Sequence, residues 1–207
     1  MKIATRSVPV CREGGRRLRV WLAVFFSLLV RPATAENLSW SAAVGNWFTA
    51  SNWSPAQVPT GADNVYLRRS GGGIAQIASG TAYANDLYIS ADNRLDLSGG
   101  TLDMNYSGRT QYIGHADYST GTISQTGGNN SVGYLLYLGY GTGATGCYTM
   151  SGGSLYVDNS LYLGYGDNAI GILLHSGGSL TVNGQSSGRM RIGRGTGSSG
   201  TYRISGS

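Results

Sequence analysis

The feature that most constrains the fold is a near-repeat of 25 residues in the second half of the chain. Residues 136–141 read LYLGYG, and residues 161–166 repeat the same six letters. Residues 150–157 read MSGGSLYV, and residues 175–182 return as HSGGSLTV. A fixed period of this length with alternating apolar positions predicts a β-solenoid, whose coils stack along one axis.

Each coil of the repeat region contains three short segments whose side chains alternate between apolar and polar. The first segment has mostly aliphatic outer residues around a central Tyr or Arg, and it occurs at residues 87–89, 111–113, 136–138, 161–163 and 190–192. Successive side chains of a strand point to opposite faces, so we expect the outer two inward and the central one on the surface. Glycine-rich corners join the segments. The sequence therefore predicts an all-β fold, a single-stranded parallel β-helix with coils of about 25 residues.

Two polar residues fall at positions that the alternation assigns to the core. Asn130 lies in the third segment of its coil, where it would need a backbone or water partner. His175 shares a column with Met150 and Ile204, and we expect a neutral imidazole held in the core by a backbone hydrogen bond.

The first 35 residues have the composition of a secretory signal peptide. A basic region reaches Arg19, residues 20–30 form an apolar run of 11, and Ala33-Thr34-Ala35 supplies a cleavage pattern. The alternative is an uncleaved anchor, but the apolar run is short for a helix that spans a bilayer. We therefore expect cleavage before Glu36 and export to the medium or the cell surface.

Residues 36–86 form a region of different character, rich in tryptophan. Trp40, Trp47 and Trp53 lie close to the first strand, where we expect a cap that covers the open end of the solenoid. A sugar-stacking surface is the alternative for these rings. Residues 68–86 do not align with the later coils well enough to predict a full coil.

Regular solenoid coils are expected over residues 87–207. The repeat pattern stops within a coil, at the beginning of a corner. An open coil exposes strand edges, so we expect either that the solenoid continues in a longer protein or that copies associate end to end through it.

Charge limits the partners of the mature chain. The leader holds seven of the 15 basic residues and one of the 10 acids, which leaves eight Arg against nine acids and a net charge of −1. This balance argues against a nucleic-acid partner. No segment of the mature chain is expected to span a membrane.

The best candidate for a contact site is a pair of surface columns. The first column is Tyr88, Tyr112, Tyr137, Tyr162 and Arg191, and the second is His115, Tyr140, Tyr165 and Arg194. An Arg that follows Tyr in the next coil is placed for a cation–π contact. The columns predict either rings that stack to stabilise neighbouring coils or a platform that binds an extended polysaccharide.

No set of residues in the chain predicts catalysis. Asp86, Asp92, Asp96 and Asp103 are close in sequence but spread over three faces of the predicted coil, and no nucleophile–His–acid set can be placed. Asp117 and Asp167 recur in one loop, but Thr stands near the same place in the other coils and interrupts a calcium-type series. We expect no enzyme, no cofactor and no metal site.

These residues resemble a known group of proteins. Trp47, Asn52-Trp53, Pro59 and Asp63 look like the opening segment of bacterial secreted β-solenoid proteins, and residues 146–164 resemble their autotransporter-associated β-strand repeats. In that group the solenoid is usually a surface-exposed passenger region, followed in autotransporters by an outer-membrane barrel. The resemblance implies an extracellular structural or adhesive repeat protein without enzymatic activity, with extracellular polysaccharide or a cell surface as its partner. The alternative is a carbohydrate-binding or polysaccharide-active β-helix whose catalytic part lies beyond these residues.

Overall fold

The computed structural model describes residues 34–184 and 188–206, and they form the β-solenoid that the period predicts. Three short strands and three corners make one coil, and about seven coils stack along one axis. The predicted signal peptide lies outside the described residues except for Thr34 and Ala35. Among the described residues, no helix is long and apolar enough to cross a membrane.

The first four coils contain strands β1 to β12. Coil 1 comprises β1 (Asn37–Trp40), β2 (Val44–Asn46) and β3 (Trp53–Ser54), with a 3-10 turn at Ala50–Asn52 before β3. Coil 2 comprises β4 (Asn64–Leu67), β5 (Ile74–Ile77) and β6 (Thr81–Tyr83). Coil 3 comprises β7 (Leu87–Ile89), β8 (Asn93–Leu97) and β9 (Thr101–Met104). Coil 4 comprises β10 (Gln111–Ile113), β11 (Thr120–Gln125) and β12 (Asn129–Val132).

The remaining coils contain strands β13 to β20. Coil 5 comprises β13 (Leu135–Leu138), β14 (Thr145–Met150) and β15 (Ser154–Val157). Coil 6 comprises β16 (Ser160–Leu163), β17 (Ile170–His175) and β18 (Ser179–Val182). Coil 7 contributes β19 (Met190–Ile192) and β20 (Ser199–Ile204).

Equivalent strands of successive coils pair into three sheets that run along the axis of the solenoid. Sheet A has the order β3-β1-β4-β7-β10-β13-β16-β19, sheet B has β2-β5-β8-β11-β14-β17-β20, and sheet C has β6-β9-β12-β15-β18. The pairs are parallel apart from β1 with β3, which is antiparallel. The register matches the sequence period, since Tyr137 pairs with Tyr112 on one side and with Tyr162 on the other.

The core is the axis on which inward side chains of the three sheets meet. Leu136, Leu138 and Leu163 are fully buried, as the alternation predicts. They pack in one continuous hydrophobic cluster with Tyr148 and Met150 of sheet B. Apolar surface buried in this core stabilises the coil stack by about 25 cal/mol per Å². Among the described residues no disulfide contributes, because the one cysteine there, Cys147, is free.

The three tryptophans close the end of the solenoid at coil 1. Trp40, Trp47 and Trp53 are each at most 2 % exposed, and the rings of Trp40 and Trp47 both contact Trp53 edge to face at 4.9 Å between centroids. The Trp53 indole donates a hydrogen bond to the Trp47 carbonyl oxygen at 2.7 Å. The antiparallel strand β3 pairs along the outer edge of β1. These rings are packed against each other inside the protein and offer no surface for sugar stacking.

Coil 2 is more regular than the sequence indicates. Residues 68–86 resist alignment with later coils, yet β4, β5 and β6 pair in register with β7, β8 and β9. Small side chains such as those of Ala75 and Ala82 occupy inward positions of this coil. The period-based reading missed this coil because small residues replace the expected Leu and Ile.

Three residues of the last coils, which the alternation places in the core, are more exposed than predicted. Ile192 is 54 % exposed and Ile204 is 69 % exposed, because β19 and β20 are the edge strands of sheets A and B and have a neighbour on one side only. His175 is half-buried; its ring nitrogens lie 3.1 Å from the Tyr202 hydroxyl oxygen and 3.3 Å from the Gly178 carbonyl oxygen. The predicted backbone partner of this imidazole is therefore present.

The core also contains a polar network that joins the three sheets. Gln111 of sheet A exchanges two hydrogen bonds with Asn130 of sheet C, at 2.7 and 3.1 Å. The Asn130 amide also donates to the Tyr148 hydroxyl at 3.0 Å, and Tyr148 donates to Gln125 at 2.5 Å, both in sheet B. The expectation of a backbone or water partner for Asn130 was wrong, because neighbouring polar side chains satisfy it.

Candidate functional site

The two aromatic columns lie side by side, on the outer face of sheet A and on the corner that follows it. We call the residues on the strands the strand file; they are Tyr66, Tyr88, Tyr112, Tyr137 and Tyr162. We call the residues three positions further along the corner file; they are His115, Tyr140 and Tyr165. The parallel register of sheet A brings the tyrosines of successive coils directly over one another.

Tyr66 is the member that the sequence reading missed. It pairs with Tyr88 in the ladder between β4 and β7, and the two rings are parallel with centroids 4.6 Å apart. The available signal was the triplet Val65-Tyr66-Leu67, which repeats the apolar–Tyr–apolar pattern of the later first strands. Coil 2 was not recognised as a full coil, so the triplet was not aligned with them.

The rings of the strand file stack on one another from coil to coil. Successive centroids are 4.6–5.3 Å apart and successive ring planes differ by 3–21°. This spacing follows from the strand separation of about 4.8 Å within a sheet. Each interior ring therefore has a parallel neighbour on both sides, an arrangement that stabilises aromatic pairs beyond their buried area.

The corner file packs against the strand file in a herringbone. Tyr140 is parallel to His115 at 5.7 Å and to Tyr165 at 5.3 Å. Across the two files, ring planes meet at 68–88° with centroids 4.6–5.5 Å apart. Tyr137, at the centre, contacts four other rings and is only 7 % exposed.

Arginine side chains cover the rings at the ends of the files. The Arg191 guanidinium lies 5.7 Å from the Tyr162 centroid, and the Arg194 guanidinium lies 4.5 Å from the Tyr165 centroid, in the positions that the column order predicts. At the other end, the Arg68 guanidinium lies 4.3 Å from the Tyr66 centroid. All three arginines are exposed to solvent beyond the ring that they cover.

Four ionisable groups of the files have pKa values shifted toward their uncharged forms, namely those of Tyr88, Tyr112, Tyr137 and His115. Burial raises the pKa of Tyr112 and of Tyr137 above the ordinary tyrosine value. Burial and then the Asp86 carboxylate raise the pKa of Tyr88, whose hydroxyl donates a hydrogen bond to Asp86 at 3.2 Å. Burial lowers the pKa of His115, and the positive charge of Arg68 lowers it further. The charged groups beside the files are the terminal arginines and the carboxylates of Asp86 and Asp117.

The geometry limits what the two files can contact. The faces of the interior strand-file rings are covered by their neighbours, so a sugar cannot stack on them. Tyr88 and Tyr112 are half-exposed, Tyr137 is buried, and Arg191 and Arg194 are exposed. A ligand would therefore meet hydrogen-bonding groups and positive charge rather than open aromatic faces.

The carboxylates that recur along the chain hold the corners together. Asp117 accepts a hydrogen bond from the backbone N–H of Thr142 in the next coil, and Asp167 accepts one from Thr196, both at 2.8 Å. Asp86 accepts one from the backbone N–H of Thr110 at 2.8 Å. Over residues 34–184 and 188–206, no group of three or more His, Cys, Asp or Glu side chains is arranged to hold a metal ion.

Among the exposed tyrosines outside the files, Tyr106 and Tyr118 have the largest exposed fractions. Tyr118 is 82 % exposed and has φ of 54°, a left-handed conformation that is uncommon for a bulky residue. Tyr106 is 62 % exposed, with the Arg109 guanidinium 4.1 Å from its ring centroid.

Comparisons with known proteins add no family to this description. The chain gave no match to a family model, to a curated protein or to a solved structure. The resemblance to autotransporter-associated repeats therefore stays a prediction from the residues.

Proposed function

We propose that this protein is an extracellular or cell-surface structural and adhesive rod without enzymatic activity, a passenger-like β-solenoid. The observation that carries the proposal is that its distinctive side chains bond to one another along the axis of the molecule. The aromatic files stack ring on ring over five coils. Rings stacked from coil to coil in this way hold successive coils together and stiffen the scaffold.

The polar side chains support the same proposal. Gln111, Asn130, Tyr148 and Gln125 satisfy each other inside the core. The recurring carboxylates accept backbone N–H groups of the next coil. A catalytic acid or base must be free to exchange a proton with a substrate, and groups committed to corner hydrogen bonds are poorly suited to that task.

Export is the part of the proposal that rests on the leader. A basic region, an apolar run of 11 residues and Ala33-Thr34-Ala35 precede the first strand. The mature chain holds one cysteine, so its stability outside the cell would come from the coil core and the backbone ladders.

The test is to express the full chain in a secretion-competent bacterial host and to find its location and its first residue. We expect a product that begins at Glu36 and that is released or accessible to added protease. Ala35→Pro, which blocks cleavage by a signal peptidase, should leave the leader attached. A full-length product that stays inside the cell would contradict the proposed location.

Binding of carbohydrate is the second candidate function. The observation that favours it is the exposed pair Arg191 and Arg194, which cover the half-exposed Tyr162 and Tyr165 of the aromatic files. The residues that would contact the glycan are those of the two files and their terminal arginines.

A further inference from the structure

The outer face of sheet B carries a polar cleft over the first four coils, on a different sheet from the aromatic files. The cleft has a volume of about 290 Å³. Its polar side chains come from four successive coils; they are Asn46, Gln76, Asp96, Ser98, Ser124 and Thr126. A concave surface with several convergent polar groups is the usual form of a ligand site.

Four of these side chains form one row along the axis of the solenoid. The parallel register of sheet B pairs Asn46 with Gln76. It then pairs Asp96 with Gln76 on one side and with Ser124 on the other. Their neighbours along the strands β5, β8 and β11 are buried, so the row faces outward. Strands about 4.8 Å apart give the row a length of about 14 Å.

Most hydrogen-bonding groups in the cleft are unused by the protein. Within the part of the chain that the structure describes, no hydrogen bond is made by the side chains of Gln76, Ser98, Ser124 and Thr126. Asn46 uses only its side-chain oxygen, which accepts the backbone N–H of Phe48 at 2.8 Å. Hydroxyl and carboxamide groups can each donate and accept hydrogen bonds, so the cleft offers both functions to a ligand.

The carboxylate of the cleft is held in place by Arg94. The Nε atom of Arg94 lies 2.6 Å from Oδ1 of Asp96, and the guanidinium donates a second bond to Oδ2 at 2.8 Å. An ionised carboxylate has about four lone-pair sites, so this fork leaves acceptor capacity for a ligand. Asp96 is therefore a positioned acceptor whose charge is balanced by its neighbour.

We propose that this cleft binds a short segment of a neutral polysaccharide. Sugar rings present hydroxyl groups that donate and accept, and these match the row of carboxamide and hydroxyl groups. The Asp96 carboxylate would accept from two neighbouring sugar hydroxyls. The row lies along the solenoid axis, so a linear polymer would bind in that direction. The proposal rests on the carbohydrate-binding candidate and gives it a site away from the two aromatic files.

The chemistry of the cleft selects this occupant over others. An anion would meet the Asp96 carboxylate, and a divalent cation would find one carboxylate that is already bonded to Arg94. None of the described residues that line the cleft is aromatic, so an apolar ligand would gain little. An extended peptide binds by adding to a free strand edge, but β5, β8 and β11 are each hydrogen-bonded to a strand on both sides.

The experiment measures binding of the purified full chain to immobilised mannan, pullulan and mixed-linkage β-glucan. Polygalacturonate and gelatin serve as the acidic and the polypeptide comparisons. We expect binding to at least one neutral polymer and weaker binding to polygalacturonate. The affinity should change less than about twofold between about 50 and 500 mM salt, because the contacts are made to an uncharged ligand.

The decisive variant carries Gln76→Ala and Ser124→Ala, and its matched control is Thr149→Ala. Thr149 pairs with Ser124 in the next coil of the same sheet, but it does not line the cleft. We expect the double variant to lose affinity about tenfold and T149A to lose less than about twofold. Thermal unfolding checks the fold; if the double variant does not fold, Q76A and S124A separately should each lose about threefold.

Four results would overturn the proposal. Equal affinities of the double variant and T149A would remove the cleft as the site. A loss found instead in a variant with Arg191→Gln and Arg194→Gln would assign the glycan to the aromatic files, so carbohydrate binding would stand and this site would not. Binding to gelatin alone would assign the cleft to a polypeptide. Absence of binding to all three neutral polymers would reject the site, while the exported rod is judged separately by its location.

Discussion

The hydroxyl of Tyr148 is the residue-scale feature that couples the three sheets through the core. It accepts a hydrogen bond from Asn130 of sheet C and donates one to Gln125 of sheet B, while Asn130 is bonded to Gln111 of sheet A. The side-chain oxygen of Gln125 receives its bond from this hydroxyl, and its amide donates to the carbonyl oxygens of Gly128 and Ser154. A buried network that is fully satisfied fixes one arrangement of its members, because any other arrangement leaves polar groups unpaired.

Tyr148→Phe is expected to lower the free energy of unfolding by about 1–3 kcal/mol, because it strips a partner from two buried amide groups without removing the ring. The measurement is urea denaturation followed by circular dichroism. The matched control is Tyr118→Phe, which removes a hydroxyl from a ring that is 82 % exposed and should change stability by less than about 0.5 kcal/mol. Equal effects of the two substitutions would show that the buried hydroxyl contributes nothing specific.

The alternation of apolar and polar residues predicted the first strand of each later coil and its inward Leu and Ile side chains, but it did not predict this polar network. Asn130 was recognised as a polar residue in the core, and its partners were not, because Gln111 and Tyr148 lie 19 and 18 residues away in other sheets. Which side chains meet across the axis depends on the angle between sheets. The conformation of the corners sets that angle, and the alternation of apolar and polar residues in the strands does not predict it.

At the scale of the element, the corners decide how closely successive coils approach. Gly153 lies at the corner between β14 and β15 and has φ of 77°; an added Cβ would overlap the Gly128 carbonyl oxygen of the preceding coil. Gly108, in the longer corner before β10, has φ of 91°, but nothing lies within 4 Å of an added Cβ. The two glycines share a left-handed backbone and differ in the contact between coils.

Gly153→Ala should therefore destabilise the protein more than Gly108→Ala does. For Gly108→Ala we expect about 1–2 kcal/mol, the cost of an L-residue in the left-handed region. For Gly153→Ala we expect about 2–5 kcal/mol, since the overlap with Gly128 adds to that cost. Chemical denaturation of the two variants measures the difference, and similar losses would mean that coil-to-coil contact at this corner is loose.

The sequence predicted much of the strand arrangement and less of the candidate site, for a physical reason. Period and alternation are enough to place Tyr88, Tyr112, Tyr137 and Tyr162 in one column, since parallel stacking without a register shift follows from them. The herringbone contact of Tyr140 with Tyr112 and Tyr137 was not predicted, because the direction of a corner side chain depends on the turn that precedes it. Exposure of Ile192 was missed for a different reason, since inward-facing positions are buried only where a coil lies on each side.

At the scale of the whole molecule, stability is distributed along one axis, because each coil contacts mainly the coil before it and the coil after it. The corner between sheets A and B carries its own ladder of hydrogen bonds along that axis. The N–H groups of Tyr118, Gly143 and Asn168 each donate to a carbonyl oxygen of the following coil at 2.8 Å. This continuity accounts for the constant length of that corner from coil 4 to coil 7, whereas the corner between sheets C and A varies in length over the same coils.

A two-residue Gly-Ser insertion tests this difference between the corners. Placed between Thr142 and Gly143, it interrupts the ladder on both sides of coil 5, and we expect a loss of about 2–4 kcal/mol from the displaced backbone hydrogen bonds. Placed after Ser107, in a corner that is already longer, it should cost no more than about 0.6 kcal/mol of loop-closure entropy. Urea denaturation measures both losses, and the first insertion should also broaden the transition, because coils on its two sides become less strongly coupled. If both insertions were tolerated equally, the corner ladder would be a consequence of the coil stack and not one of the interactions that hold it together.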